Sequence, residues 1–187
     1  DVLASAGGVR SPVHESFITL SRDGRTVTVP MQVLTANPSE NIFVRPGDTL
    51  TVVRAPQSFT AFGATGRNAL VTFDAVGITL EEAVAKAGGL LDLQSDPSGV
   101  FMLRRESVSV ARELDPAFAI APGQTTVNVV YRIDLRDTNT YFQARSFPVQ
   151  DKDIIYVANA PTSDLQKFLA VAQMATSSAY SAKYLAR

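Results

Sequence analysis

Hydrophobic and polar residues alternate along this chain with two different periods. From Leu80 to Ala87 the apolar residues recur at i, i+3, i+4 and i+7, which is the spacing of a helix with one buried face. Thr79 precedes this segment and Glu82 follows three residues later, as in a capping box, and Gly88 supplies a stop. The pattern therefore predicts a short buried helix over Leu80–Ala87.

Segments with a period of two predict strands on either side of tight turns. Phe17–Arg22 and Arg25–Pro30 flank Asp23-Gly24, a strong hairpin signal because both central residues must adopt positive φ. Phe59–Ala64 and Ala69–Phe73 predict a second hairpin. Further strands are predicted at Ile42–Val44, Thr49–Arg54, Gly99–Arg105, Val127–Leu135 and Asp153–Val157, with loops at Thr35–Asn41 and at Glu106–Thr126.

One block of sequence occurs twice. Asp1–Val9 (DVLASAGGV) and Glu82–Leu90 (EAVAKAGGL) share the pattern Ala-x-Ala-Gly-Gly, and each copy later places an acidic turn before a strand. Asp48 and Asp153 occupy equivalent places in those turns, which indicates a structural role because an aspartate can accept hydrogen bonds from turn amides. Strand, strand, helix and further strands is the order of a β-grasp unit. The sequence therefore predicts an α+β fold with tandem β-grasp units.

The boundaries of the two copies follow from their helices. Residues 49–158 contain a full set of β-grasp elements, whereas residues 1–53 contain only the C-terminal part of one. The cap and first turn of the first helix would precede Asp1, and no initiator methionine is present. We therefore expect the first unit to be incomplete and the chain to be a piece of a longer protein.

The last part of the chain has a different character. The 25 residues from Ser163 to Arg187 contain neither proline nor glycine and begin with a capping-box pattern, which predicts an amphipathic helix over residues 163–187. Such a helix would be about 37 Å long, enough for the ~30 Å core of a bilayer, but it is too polar to span one alone. It could span as one stave of an oligomer or pack on a neighbour. Its apolar-to-small stripe comprises Leu165, Phe168, Leu169, Ala172, Thr176 and Ala179.

Composition excludes several functional classes. The chain has 17 Lys and Arg against 18 Asp and Glu, with no basic run, so a nucleic-acid surface is not expected. It has no cysteine, and its single histidine, His14, has no triad or metal-binding partners in the sequence pattern. The segment Gly63-x-x-Gly66-Arg67 lacks the Lys-Ser/Thr of a phosphate loop. We therefore expect no catalytic, cofactor-binding or metal-binding residues, no cofactor and no enzymatic activity.

Several longer segments carry a family resemblance. They are the two Ala-Gly-Gly blocks, Asn41–Asp48 (NIFVRPGD), Gln57–Asn68 (QSFTAFGATGRN), Tyr131–Leu135 (YRIDL), Phe147–Val157 (FPVQDKDIIYV) and Asn159–Leu169 (NAPTSDLQKFL). In these segments the chain resembles the outer-membrane polysaccharide export proteins of Gram-negative bacteria, in the capsule-export branch. The match covers nearly the whole chain, because the repeats, the linker and the terminal segment all agree in order.

This resemblance implies soluble-ligand-binding β-grasp (SLBB) domains stacked as periplasmic rings, with a C-terminal helix that lines an outer-membrane pore. The implied fold is α+β, with tandem SLBB-like β-grasp domains, the first incomplete, and a C-terminal amphipathic helix. The implied function is the periplasmic and outer-membrane portion of a homo-oligomeric translocon for capsular polysaccharide, working with inner-membrane export machinery. The alternative is a monomeric β-grasp carbohydrate-binding module that holds glycan through aromatic and arginine side chains.

Basic side chains supply candidates for contact with the polymer. The arginines of the second copy are scattered over its strands, and most would be solvated or ion-paired; the alternative is that some of them face an anionic polymer. The candidate polysaccharide-facing residues are Arg67, Arg104, Arg105 and Arg132, and the candidate pore or oligomer residues are those of the stripe from Leu165 to Ala179.

Overall fold

The computed structural model describes residues 2–37, 39, 43–159 and 182–184. The chain divides into two compact units: the first comprises residues 1–57 and 72–78, and the second comprises residues 58–71 and 79–187. Both units combine short helices with a sheet whose strands often follow one another directly, so the predicted α+β class is confirmed.

The first unit contains a three-stranded antiparallel sheet. Its elements are α1 (Val2–Ser5), a 3-10 turn (Val13–Glu15), β1 (Ser16–Arg22), β2 (Arg25–Pro30), α2 (Met31–Ala36) and β3 (Thr49–Arg54). The strand order is β2-β1-β3, with Leu20 opposite Val27 on one side and Leu50 on the other. Asp23 and Gly24 both have positive φ, 49° and 74°, so the predicted hairpin is confirmed.

Two sequence predictions in the first unit differ from the structure. Met31–Ala36 forms α2, so the helix enters the segment that we expected to begin a loop at Thr35. Phe43 and Val44 do not form a strand, and Ile42 lies outside the described residues. Phe43 is 94% exposed, so no burial of its side chain holds this segment in an extended ladder.

The second unit is built on a six-stranded mixed sheet with the order β11-β8-β7-β10-β4-β5. Its elements are β4 (Gln57–Gly63), β5 (Ala69–Phe73), β6 (Ile78–Thr79), α3 (Leu80–Lys86), β7 (Ser95–Ser107), α4 (Val108–Leu114), β8 (Thr126–Ile133), α5 (Thr138–Ala144), β9 (Pro148–Val149), β10 (Ile154–Asn159) and β11 (Ala182–Tyr184). The strands β4, β5 and β6 extend into residues 57 and 72–78, which belong to the first unit. β10 runs parallel to β4 and antiparallel to β7, and β7 is antiparallel to β8. β6 and β9 form a separate two-stranded pair.

The helix α3 has the predicted cap and the predicted buried face. Thr79 Oγ1 accepts a hydrogen bond from the amide of Glu82 at 3.3 Å, and Glu82 Oε2 accepts one from the amide of Thr79 at 2.8 Å. Leu80, Ala83 and Ala87 are at most 1% exposed, so this face belongs to the core. The helix ends one residue before Ala87, which is its C-terminal cap.

Two helices lie where the sequence predicted none. β7 continues through Ser107, whose hydroxyl caps α4 by accepting from the amide of Val110, so the segment predicted as the loop Glu106–Thr126 begins with ordered structure. The fully buried Ala111 lies in α4, which contacts β7 and β8. Asp137 caps α5 through its carboxylate. Both helices depend on a polar cap and on packing against the sheet, and neither has a strong 3.6-residue pattern.

The predicted C-terminal helix is largely untested. Residues 160–181 and 185–187 lie outside the described residues, and so do Leu165, Phe168, Leu169, Ala172 and Ala179. Ala182–Tyr184 is a strand that pairs in parallel with β8, so the helix prediction is wrong at these three residues, where the edge of β8 offers unpaired backbone groups. Among the described residues, no helix has both the length and the apolar character needed to cross a membrane.

Candidate functional site

A buried arginine–aspartate pair lies at the centre of the second unit. Arg104 Nε donates to Asp153 Oδ1 at 2.9 Å and Arg104 Nη2 donates to Asp153 Oδ2 at 2.6 Å, a bidentate geometry. The same Nη2 donates to the carbonyl of Pro148 at 2.7 Å, and the amide of Gln150 donates to Asp153 Oδ2 at 2.8 Å. The pair therefore joins β7 to the turn before β10; we call this arrangement the Arg–Asp bracket.

The first unit contains the same bracket. Arg22 Nε and Nη2 donate to Asp48 Oδ1 and Oδ2 at 2.8 and 2.6 Å. Arg22 Nη2 also donates to the carbonyl of Phe43 at 2.9 Å, and the amide of Arg45 donates to Asp48 Oδ2 at 2.8 Å. In both copies the carbonyl lies five residues before the aspartate and the amide lies three residues before it. The structure thus confirms the equivalent structural roles predicted for the two aspartates.

The second bracket is more deeply buried and has more partners. The side chain of Arg104 is 5% exposed, compared with 26% for Arg22. Arg104 Nη1 lies 3.5 Å from Glu106 Oε1, which also accepts a hydrogen bond from the hydroxyl of Tyr131 at 2.8 Å. The guanidinium carbon lies 5.8 Å from the ring centroid of Tyr131 and 5.3 Å from that of Phe147, within cation–π range.

These contacts shift the pKa values of the buried groups. Burial alone would lower the pKa of Arg104, but the hydrogen bond with Asp153 and the charges of Asp153 and Glu106 outweigh it, so the pKa is raised. Burial, followed by the hydrogen bond to Glu106, raises the pKa of Tyr131. The cluster therefore keeps Arg104 cationic and Tyr131 protonated, which suits a structural core and not a proton-transfer site.

The structure does not bring the four candidate arginines together. Arg104 is buried in the bracket, so the prediction that it faces a polymer is wrong, because its donors are occupied by carboxylates inside the unit. Arg105 is exposed and donates to Thr126 Oγ1 at 2.9 Å; the half-buried Arg132 donates to the carbonyl of Ser98 at 3.1 Å. Arg67 is exposed in the β4–β5 loop.

Arg105 and Arg132 do share one face of the sheet. Arg132 lies opposite Phe101 in the β7–β8 ladder, and Phe101 is four residues before Arg105 on β7. Since side chains alternate along a strand, both arginines project from the face opposite to Arg104, about 13 Å apart along the strand. The spacing suits two separate contacts along an extended ligand.

A cleft opens between α3 and α5. Its volume is about 370 Å³, and sequence reasoning missed it because α5 was not predicted. Apolar side chains form what we call its floor, and three polar or aromatic side chains form its rim. The floor consists of Leu80, Val84, Val100, Leu135 and Ala144, and the rim consists of Glu81, Asp92 and Tyr141. Ala85, Gly89, Leu90 and Pro97 complete the lining.

Other candidate chemistry is limited. His14 lies in the 3-10 turn with its side chain 55% exposed, 3.9 Å from Glu15, as expected for a surface residue. Among the described residues, no group of three or more histidine, cysteine, aspartate or glutamate side chains could hold a metal ion.

Residues 57–157 match the SLBB domain family. The chain belongs to this family. The matched range of the SLBB domain includes the second Arg–Asp bracket, the helix α3 and the whole lining of the cleft. The resemblance that the sequence motifs indicated is therefore confirmed.

The SLBB-containing chain is also similar to curated proteins over most of its length. It is 39% identical over 175 residues to the capsule polysaccharide export protein BexD of Haemophilus influenzae, covering 91% of this chain and 44% of that protein. It is 38% identical over 172 residues to the capsule polysaccharide export outer membrane protein CtrA of Neisseria meningitidis, covering 90% and 44%. A match at 24% identity over 170 residues, 89% of this chain and 44% of the relative, is to the Vi polysaccharide export protein VexA/TviF of Salmonella typhi. The chain thus spans less than half the length of these relatives.

The first Arg–Asp bracket predicts a specific acid sensitivity. The hydrogen bonds from Arg22, followed by that from the Arg45 amide, lower the pKa of Asp48 from its ordinary 3.8 to about 2. A carboxyl whose pKa is lower in the folded state stabilises that state above about pH 4, and this contribution is lost as the pH falls towards about 2. We expect Asp48→Asn to be less stable than the parent at neutral pH, with the two stabilities converging between these values. Hydrogen exchange of the β1–β3 amides as a function of pH measures this, and two parallel curves would contradict it.

Proposed function

We propose that this chain is the periplasmic and outer-membrane portion of an oligomeric translocon that exports capsular polysaccharide across the outer membrane. The observation that carries the proposal is the 39% identity to a capsule polysaccharide export protein over 91% of this chain. A second relative at 38% identity is named as an outer membrane protein. An outer-membrane location facing the periplasm follows from the same similarity.

The two units would serve as modules of this translocon. We assign residues 1–53 to the C-terminal part of a first SLBB-like β-grasp domain and residues 49–158 to a second. The repeated Arg–Asp bracket supports this assignment, because two unrelated units would not share the same four hydrogen bonds, with the carbonyl five residues and the amide three residues before the aspartate. Copies of the chain would form a homo-oligomeric ring that works with an inner-membrane export machine, and the predicted helix at residues 163–187 would contact the outer membrane.

The polymer would pass the exposed cationic groups of the second unit. Arg67 and Arg105 are exposed and Arg132 is half-buried, and each can offer a guanidinium to an anionic chain at modest desolvation cost. The chain would act by holding and guiding the polymer and not by catalysis, in keeping with relatives whose names are those of export proteins.

Deletion of the gene in the bacterium that encodes the chain tests this proposal. We expect an in-frame deletion of the coding region for residues 1–187 to abolish surface polysaccharide while polymer accumulates inside the cell. The intact gene in trans should restore the capsule. A normal surface capsule in the deletion strain would overturn the proposal.

A second candidate function is a monomeric carbohydrate-binding module, which the cleft between α3 and α5 favours because it is open and partly aromatic. Light scattering on the full-length protein in detergent separates the two. A ring-forming translocon component should have a scattering mass that is a multiple of its chain mass, whereas a monomeric binding module should have the mass of one chain.

A further inference from the structure

The cleft of the SLBB domain carries chemistry that polymer guidance by surface arginines does not use. We propose that the cleft between α3 and α5 binds a single uncharged or amino-bearing sugar unit of a glycan chain. Its volume of about 370 Å³ lies within the range of small-molecule sites, about 300–1,000 Å³. The inference rests on the proposed function only in taking the exported polysaccharide as the source of that sugar.

The floor of the cleft suits one face of a sugar ring. A pyranose presents C–H groups on its faces and hydroxyls around its edge, so one face can cover apolar side chains while the edge stays polar. Leu80 and Val100 are at most 1% exposed and anchor the floor in the core. The apolar surface that a ring can cover is supplied by the partly exposed Leu90, Pro97 and Leu135. Tyr141, which is 49% exposed on α5, adds a rigid aromatic surface at the rim.

The rim offers hydrogen-bond acceptors that have no partner within the part of the chain that the structure describes. The carboxylate of Asp92 is exposed and makes no hydrogen bond or ion pair there, and the hydroxyl of Tyr141 makes none either. An ionised carboxylate accepts only, with two oxygens, so it can take two adjacent hydroxyl or ammonium donors of a sugar. Donors on the ligand are therefore the complement of this rim.

Charge at the rim selects against acidic sugars. Glu81 and Asp92 are the charged residues among those that line the cleft, and Arg145, whose Nε lies 3.3 Å from Glu81 Oε2, supplies one positive charge beside them. Two negative charges and one positive charge leave the rim net negative, so the rim would repel the carboxylate of a uronate or sialate unit. Surface arginines such as Arg105 suit acidic units, and the cleft suits the neutral or amino units between them.

Titration of the full chain with defined oligosaccharides tests the inference. The probes are chitohexaose, which is neutral, and a hyaluronan hexasaccharide, in which every second unit is a glucuronate. We expect chitohexaose to shift the amide resonances of Ala85, Gly89 and Leu90 in a saturable manner. Hyaluronan should bind there several-fold more weakly at low salt, with the difference shrinking as salt screens the rim charges.

Matched variants identify the residues responsible. Tyr141→Ala should weaken chitohexaose binding about tenfold, the usual scale for losing one aromatic contact. Phe142→Ala is the control, because Phe142 is 64% exposed on the same helix but does not line the cleft, and its affinity should equal that of the parent. Asp92 lies in an exposed loop outside α5, so Asp92→Asn remains available even if α5 tolerates no substitution. This variant should abolish the difference in affinity between the two probes.

Several outcomes would overturn the inference. They are a titration without shifts at the cleft, equal affinity for both probes, or unchanged binding in Tyr141→Ala. Shifts of the cleft amides with protein concentration alone would mean that a second copy fills it. The result is separable from export: if deletion of the coding region abolishes the capsule but the purified parent chain binds no glycan at the cleft, only the cleft assignment is contradicted. Export lost on deletion of the coding region, with chitohexaose bound at the cleft by the purified chain, supports both proposals.

Discussion

Replacing Asp153 by alanine should lower the free energy of unfolding of the second unit by about 3–5 kcal/mol, the usual cost of leaving a buried charge without its partner. Arg104 would keep the carbonyl of Pro148 at 2.7 Å and the carboxylate of Glu106 at 3.5 Å but would lose its bidentate partner, and its side chain is 5% exposed, so water cannot replace the lost carboxylate. The turn amide of Gln150 would lose its acceptor as well. Hydrogen exchange of the β7 and β10 amides measures the change.

The first Arg–Asp bracket supplies a matched control. Asp48→Ala removes the same hydrogen bonds in the first unit, but the side chain of Arg22 is 26% exposed and can be hydrated, so the loss should be smaller. An equal or larger loss would contradict the burial argument. The double substitution Arg104→Met with Asp153→Leu should recover most of the stability, because apolar side chains of suitable size can replace a buried ion pair.

Replacing Gly63 by alanine should destabilise the second unit by about 2–5 kcal/mol, since it combines a backbone penalty with a clash. Gly63 has φ of 89°, and a Cβ there would overlap the carbonyl oxygen of Val157 and lie 3.1 Å from the ring of Tyr156. β4 and β10 pair in parallel at this point, and the amide of Ala64 donates to that same carbonyl at 2.9 Å. The strands would have to separate beside Val157, whose side chain is fully buried.

Gly123 separates the two causes of that loss. It also lies in the second unit with a φ of 82°, but a Cβ there would meet nothing within 4 Å. Gly123→Ala should therefore show the backbone penalty alone, about 1–2 kcal/mol. Thermal unfolding of the two variants measures the difference, and similar losses would mean that the contact with β10 contributes nothing.

Features set by neighbouring residues were predictable from the sequence. Asp23-Gly24 and the box of Thr79 and Glu82 were both correctly interpreted, because a turn or a cap is decided within four residues. Arg104 was misplaced for the opposite reason. β7 is buried on both faces around Phe101, so alternation did not show which side of the strand faced a carboxylate 49 positions away.

The candidate site was harder to predict than the fold. The cleft requires Tyr141 of α5 to lie beside Leu80 of α3, and α5 is held by the carboxylate of Asp137 and by packing on the rest of the unit. A seven-residue polar segment has too little intrinsic helicity to be recognised alone. The helix α5 forms because it packs against the rest of the second unit, and the same packing forms the cleft.

The division of the chain into units has a consequence for its synthesis. The first unit requires residues 72–78, where the amide of Ala75 donates to the carbonyl of His14 at 2.7 Å, yet residues 58–71 of the second unit come before them. A polypeptide leaving the ribosome from its N-terminus can therefore finish its first unit only after the opening hairpin of the next has emerged. A fragment that stops at Gln57 would lack this closing segment, and one that starts at Ser58 would carry it without its acceptor. The order of segments along the chain therefore means that part of the second unit is synthesised before the first unit can be completed.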